Sequence, residues 1–272
     1  MKIFISVMLA AAVLASAGMT RLSRYNDDAF DDEELYEEEY YGYDSVTIPE
    51  PIGARAKLPP PHPGSKNIAA ALSDADIYDI NSGISYYTET GISEFDSASP
   101  DFYKLLTFGI DHIIINFRTS RVEYAELPDE RFVLYAKVKK EDVLESVKAY
   151  FGISVLDIAD YTDGKYFGEN RYFFRDGYFY KAAFADYSLR WSQVTELYEN
   201  EDGTYTAYFE NYAGTSWPTN LYDRRRYWDL PEYTDDYGDY TYEKCGMSFA
   251  VFEDYNYDGY ETYKLVKLVT AR

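Results

Sequence analysis

Apolar and polar residues follow a helical period in the first part of this chain and an alternating period in the second. The stretch Ser99–Ser120 begins with Ser, Pro and Asp, which favour a helix start. Its apolar residues form a broad face beside a narrow polar stripe of Lys104, Thr107, Asp111 and Arg118. The apolar face consists of Phe102, Leu105, Leu106, Ile110, Ile113, Ile114 and Phe117. The apolar face of such a helix must pack against other residues. We predict that the Tyr- and Phe-rich second half of the chain packs against it.

Helical spacing recurs on both sides of this segment. It predicts helices from Ser73 to about Thr88 and over Glu141–Phe151, where Gly152 is placed to end the second. A short helix is predicted for Asn67–Leu72. Alternation over Arg131–Lys139 predicts a half-buried strand.

After Gly152 the alternation predicts hairpins. The dipeptides Asp176-Gly177 and Asp202-Gly203 each separate two strand-like runs, as Asp-Gly does in two-residue hairpin turns. A third hairpin turns across Asp254–Tyr260. The hairpins span Asn170–Phe184, Gln193–Tyr212 and Met247–Val269, and Ser216–Gly246 is predicted to be a long loop. The fold class is therefore α+β, with about three N-terminal helices packed on a C-terminal antiparallel sheet.

The N-terminal residues indicate export and a spacer. Residues 1–18 combine a basic Lys2, an apolar run and Ala15-Ser16-Ala17, which is typical of a cleaved signal peptide; an uncleaved anchor is the alternative. Asp27–Asp44 is densely acidic, and Pro49–Gly64 is rich in proline. We therefore predict a signal peptide over 1–18, a disordered acidic and Pro-rich stalk over 19–66 and one globular domain over 67–272.

The net charge of the chain limits the classes of molecule that it can bind. The chain has 26 Lys and Arg against 48 Asp and Glu, a net charge of −22, which repels nucleic acid and anionic lipid. The 32 tyrosines suit either half-buried sheets or a surface that contacts carbohydrate or protein. A single cysteine, Cys245, excludes an internal disulfide. We expect a secreted or envelope-associated protein with an envelope glycan or protein as partner, and no integral membrane association after cleavage.

Three short motifs carry a resemblance between Asp79 and Ile153. They are INSGISYYTETGISEFD from Ile80, FGIDHIIIN over Phe108–Asn116 and AYFG from Ala149. This region resembles a loose group of uncharacterised exported proteins and lipoproteins of Gram-positive bacteria. That group has no established activity, so the resemblance implies location and fold boundaries rather than chemistry. Met19 stands where a lipoprotein leader would have its lipidated cysteine, which favours release or non-covalent retention.

His112 and Asn116 are the candidate binding residues. Their i, i+4 spacing puts both on one helix edge. They could line a cleft between the first helices, or form a structural pair that satisfies loop carbonyls. Catalysis by His112 would need a nucleophile or metal partner, and no spacing supports one. No catalytic residue is assigned.

The hairpin loop from Asp254 to Glu261 is the candidate calcium site. Asp254, Asn256 and Asp258 place oxygen ligands at alternate positions before a glycine, and Glu261 could close the loop. The alternative is a plain Asp-Gly turn, because the twelfth position of an EF-hand would be Leu265. No other cofactor is predicted.

Several pairs of carboxylates allow a second class of function, that of a hydrolase. The pairs are Glu123 and Glu126, Glu141 and Asp142, and Asp235 and Asp236. A glycosidase needs two carboxylates at a fixed separation, which an acidic sequence cannot demonstrate. The sequence favours a non-enzymatic binding or structural domain. The alternatives are a secreted glycan hydrolase and a calcium-stabilised adhesion or carbohydrate-binding module.

Overall fold

A computed structural model of the chain describes residues 54–127, 130–154, 172–182, 189–214 and 242–271. These residues form three α-helices and ten strands in two antiparallel sheets, so the α+β prediction is confirmed. The strands form two sheets where one was expected. The signal peptide, the acidic segment and residues 216–241 of the predicted loop lie outside the described residues.

The three helices begin and end at recognisable capping residues. Helix α1 (Asp74–Glu89) starts at a capping box in which Ser73 and Asp76 each accept a hydrogen bond from the other's backbone. Helix α2 (Phe102–Asn116) starts later than Ser99, because the carboxylate of Asp101 accepts bonds from the backbone N–H groups of Tyr103 and Lys104. Helix α3 (Lys140–Phe151) ends at Gly152, whose φ of 65° is left-handed.

The strands divide into a six-stranded and a four-stranded sheet. The six-stranded sheet has the order β1-β7-β8-β9-β10-β2, and the four-stranded sheet has the order β3-β4-β6-β5. The strands are β1 (Lys66–Asn67), β2 (Glu94–Asp96), β3 (Val122–Leu127), β4 (Glu130–Lys139), β5 (Tyr172–Arg175), β6 (Tyr178–Ala182), β7 (Leu189–Glu199), β8 (Tyr205–Gly214), β9 (Tyr242–Tyr257) and β10 (Tyr260–Ala271).

All three predicted hairpins are present. Asp176-Gly177 joins β5 to β6 with positive φ at both residues, the requirement of a type I′ turn. The third hairpin turns at Asp258-Gly259, so Asp254 lies within β9, opposite Tyr263. Strand β9 begins at Tyr242, inside the predicted loop. The short helix predicted for Asn67–Leu72 is present only as a three-residue 3-10 helix over Ala69–Ala71, and Asn67 belongs to β1.

The main core lies between α2, α3 and the inner faces of both sheets. Gly109 of α2 lies against Val143 of α3, and a β-carbon built on it would be 2.8 Å from the Val143 carbonyl oxygen. The helices therefore meet where α2 has no side chain. Core residues include Leu105, Phe108 and Ile110 of α2, Val147 and Phe151 of α3, Val138 and Phe179 of the smaller sheet, and Ala250 and Leu265 of the larger.

Helix α1 protects an exposed strand edge. Among the described residues, β1 pairs with only Tyr198 and Glu199 of β7, and no other described strand pairs with that edge. The Asn81 side-chain oxygen accepts a hydrogen bond from the Val194 N–H at 2.7 Å, and the Ser85 hydroxyl accepts one from the Ser192 N–H at 2.9 Å. Side chains of a helix thus replace a neighbouring strand, which prevents edge-to-edge pairing with another chain.

Packed structure in the described residues lies upstream of the predicted boundary between spacer and domain at Asn67. Packed structure already begins at a 3-10 turn over Ala54–Lys57, and the Leu58 side chain is buried against the larger sheet. Prolines and charges favour a solvated chain only where no surface binds them.

Candidate functional site

A recess of about 360 Å³ opens at the β2 edge of the larger sheet. Strand β2 has three residues, and the first turn of α2 lies beside it. The recess is therefore bordered by a sheet edge on one side and a helix start on the other. Its lining consists of Glu94, Phe95, Asp96, Ser99, Asp101, Lys104, Lys267, Leu268 and Val269.

Charged groups of both signs line this recess. The Lys104 ammonium lies 2.6 Å from a Glu94 carboxylate oxygen, and this hydrogen bond and charge lower the pKa of Glu94. Lys267, opposite Asp96 in the strand register, is exposed and has no ion-pair partner among the described residues. Phe102 and Tyr103 follow Asp101 and are 44% and 49% exposed. The recess thus combines two lysine ammonium groups with carboxylates.

His112 lies inside an aromatic cluster and not in a cleft. Its ring stacks on Phe108 at 5.5 Å between centroids and meets Tyr150 edge-on at 4.7 Å. Tyr86 and Phe117 also pack on the ring. Burial, and secondarily the charge of Arg121, lower the pKa of His112 to about 3. The imidazole is therefore neutral at pH 7.

Asn116 contacts His112, as the i, i+4 spacing predicted. Its side-chain amide lies 3.2 Å from His112 Nδ1 and donates to the His112 carbonyl oxygen at 3.2 Å and to Glu89 at 3.4 Å. The bonds hold the last turn of α2 and link it to the end of α1. This geometry is that of a structural pair; a ligand-binding role for the two residues stays a prediction.

The buried histidine should make folding stability depend on pH. Its folded pKa of about 3 lies below the usual value of 6.5, so the unfolded chain binds a proton that the folded chain does not. This contribution leaves stability unchanged above pH 6.5 and lowers it by about 1.4 kcal/mol per pH unit between that value and about pH 3. Urea unfolding of wild type and His112→Phe from pH 7.5 to 5.5 measures it. Parallel pH profiles in the two proteins would contradict the assignment.

The predicted calcium loop is a two-residue turn between paired strands. The Asn256 side-chain oxygen accepts a hydrogen bond from the Gly259 N–H at 3.0 Å, and Asp258 lies 3.5 Å from the Lys148 ammonium. Asp254 has a raised pKa, first through burial and then through the charge of Glu261. No group of three or more His, Cys, Asp and Glu side chains within the described ranges is arranged to hold a metal ion. The loop has the geometry of the alternative, an Asp-Gly turn.

We expect calcium to leave this hairpin unaffected. Asn256 and Asp258 already have partners, so an ion would have to displace both contacts. Melting curves of wild type and Asp258→Asn with and without millimolar calcium test this; any effect of the acidic N-terminal segment is common to both proteins. A calcium-induced rise in Tm that is larger in wild type would establish the calcium site instead.

A buried ionic group that the sequence did not predict joins α2 to the smaller sheet. Lys181 of β6 lies 2.7 Å from Asp111 Oδ1, and the Tyr172 hydroxyl donates to Asp111 Oδ2 at 2.7 Å. Asp111 and Lys181 are only 8% and 4% exposed. The sequence placed Asp111 on the polar stripe of α2, but nothing in it indicated a partner 70 residues away.

The other residues considered for a functional role are the tryptophans, which could stack on sugar rings, the carboxylate pairs and Cys245. Those that the structure describes lie in the following surroundings. Trp191 is fully buried and stacks on Tyr212, so its ring is not available to a sugar. Glu123 pairs with Lys137, and Asp142 lies 3.6 Å from Arg121. Cys245 is half-buried. Trp217, Trp228, Asp235 and Asp236 lie outside the described residues.

No protein-family profile, curated protein or solved structure matches this chain. The resemblance of residues 79–153 to exported proteins of Gram-positive bacteria therefore stays a hypothesis. In the described ranges, none of the helices is both long enough and apolar enough to cross a bilayer.

Proposed function

We propose that this protein is exported and acts at the cell envelope, or outside the cell, as a binding domain and not as an enzyme. The observation that carries the proposal is the open recess at the β2 edge, which is lined by charged groups of both signs. His112, a candidate binding residue, is enclosed by aromatic rings and neutral. Export is supported by the signal-like pattern of residues 1–18.

A glycan of the envelope fits the chemistry of the recess. Sugar hydroxyls can accept a hydrogen bond from the Lys267 ammonium and donate to the carboxylates of Asp96 and Glu94. The net charge of −22 disfavours polyanionic ligands such as nucleic acid.

Binding and turnover can be measured on the same preparations. The full chain would be applied to a glycan array and sedimented with insoluble peptidoglycan, while released reducing sugar is assayed in the supernatant. We expect saturable binding without release of sugar. Hydrolysis that disappears when one Asp or Glu is replaced would establish the hydrolase and overturn the binding function.

Lys267→Ala should weaken glycan binding at least tenfold. The substitution removes an exposed ammonium from the recess, and a hydrogen bond to a charged group contributes about 1.5–3 kcal/mol. Lys264→Ala is the matched control, because Lys264 belongs to the same strand but pairs with Glu253 and does not line the recess. Equal affinities of the two variants for the glycan would place the binding site elsewhere.

A further inference from the structure

The face of the larger sheet that points away from the main core carries a second apolar cluster. Tyr208 and Phe249 alternate with the core residues Phe209 and Ala250, so they project from the opposite face. We call this the outer face. Its buried cluster consists of Leu58, Tyr208, Met247, Phe249 and Ala271, with Tyr198, Val251 and Val269 packed against it.

The chain's own proline-rich segment, Ala54–Gly64, occupies this outer face. Leu58 is 5% exposed and belongs to the apolar cluster. The Tyr208 hydroxyl donates a hydrogen bond to the Pro59 carbonyl oxygen at 2.6 Å. Aromatic-lined surfaces are a common docking site for proline-rich segments.

Arg55 adds a cation–π contact and an ion pair to the packing of the segment on the outer face. Its guanidinium carbon lies 3.6 Å from the centre of the Tyr208 ring, and its Nε donates to Glu196 Oε1 at 2.9 Å. The Tyr198 hydroxyl donates to the other Glu196 oxygen at 2.6 Å, which holds the carboxylate in place. The hydrogen bond to Glu196 raises the pKa of Arg55. One cation therefore has an aromatic face and an oriented carboxylate.

We propose that the outer face is a recognition groove for proline-rich segments, with Ala54–Gly64 as its resident ligand. The fitting partner is a segment of another chain that carries an arginine three residues before a Leu-Pro-Pro-Pro run, the spacing of Arg55 and Leu58. The guanidinium, the leucine side chain and the proline carbonyl make the contacts, and a separate peptide can supply all three. The groove lies on the outer face and is distinct from the recess at β2.

The covalent connection favours the resident segment. Just after it, the Ser65 hydroxyl donates to the Asn200 side chain at 2.6 Å, and Lys66 and Asn67 pair with β7. These contacts keep the segment at a high effective concentration over the groove. A competing segment therefore displaces the resident segment of the wild-type chain only at millimolar concentration, and binds more tightly when the resident contacts are weakened.

Fluorescence anisotropy with a labelled peptide of residues 52–64, IGARAKLPPPHPG, tests the groove on the full-length chain. The double variant Arg55→Ala/Leu58→Ala should bind the peptide at least tenfold more tightly than wild type does. Adding Glu196→Gln to the double variant should reduce that affinity at least tenfold. A peptide with alanine in place of its arginine is the matched control and should bind correspondingly more weakly. Equal peptide affinity of wild type and double variant, or of the two peptides, would overturn the proposal.

Hydrogen exchange on the wild-type chain is independent of the variants' folding. A millimolar excess of the peptide should accelerate exchange of the Leu58 amide, which donates to the Arg55 carbonyl. Exchange of the Ile68 amide, bonded to Leu197 of β7, should stay unchanged. Unchanged exchange at Leu58 would mean that the segment is a fixed part of the fold and is not displaceable.

Discussion

Replacing Lys181 with methionine should lower the free energy of unfolding by about 3–5 kcal/mol. The Lys181 ammonium lies 2.7 Å from Asp111, and the two residues are 4% and 8% exposed. The variant leaves the Asp111 carboxylate buried without its cation, while methionine keeps most of the apolar length of lysine. Guanidinium unfolding at pH 7, followed by circular dichroism, measures the loss.

Two controls distinguish the cost of leaving a buried charge unpaired from the cost of losing a lysine side chain. Lys148→Met removes an exposed partner of Asp258 and should cost less than about 1 kcal/mol. The triple variant Asp111→Leu/Lys181→Met/Tyr172→Phe removes all three of these polar groups and should be more stable than Lys181→Met alone. If the two methionine variants lose the same stability, burial of the pair does not determine its contribution.

Gly109→Ala should destabilise the protein by about 1–3 kcal/mol, although alanine favours a helix over glycine by about 1 kcal/mol. The new β-carbon would lie 2.8 Å from the Val143 carbonyl oxygen and 3.1 Å from Val147 Cγ2. The first obstacle is backbone, so α2 and α3 would have to separate. Thermal and denaturant unfolding of the variant report the loss.

Thr107→Ala is the control for helix propensity on the same helix. Thr107 is half-buried, and its hydroxyl bonds only within α2, to the Lys104 carbonyl. Its replacement should change the free energy of unfolding by less than about 0.5 kcal/mol. A stabilised Gly109→Ala variant would show that the two helices are not in close contact.

The predictable features are those whose causes are local in sequence. Helix α3 ends at Gly152 because a left-handed residue is needed there, and β5 turns into β6 at Asp176-Gly177 because that turn needs positive φ twice. The contact of His112 with Asn116 follows from one helical turn. In each case the interacting residues are at most a few positions apart.

The failures occurred where a residue's partner is far along the chain. The burial of His112 depends on rings contributed by α1 and α3, and the recess places Lys267 beside a strand and helix some 165 residues earlier. Strand β2 is too short to show a period and exists through its pairing with β10. Asn81 and Ser85 are polar residues on a buried helix face. Their role is explained only by the β7 edge, whose backbone N–H groups donate to them.

The sequence by itself determined the helical first part, the three hairpins and their turns, because backbone preference and the spacing of apolar side chains act over a few residues. Tertiary structure alone decided that there are two sheets, that Lys181 neutralises Asp111, and that Arg55 lies between Tyr208 and Glu196. Those choices depend on desolvation and pairing between distant residues. From its sequence, the proline-rich segment is predicted to be a free spacer. Its contacts depend on an aromatic surface and a carboxylate that only the folded sheet provides.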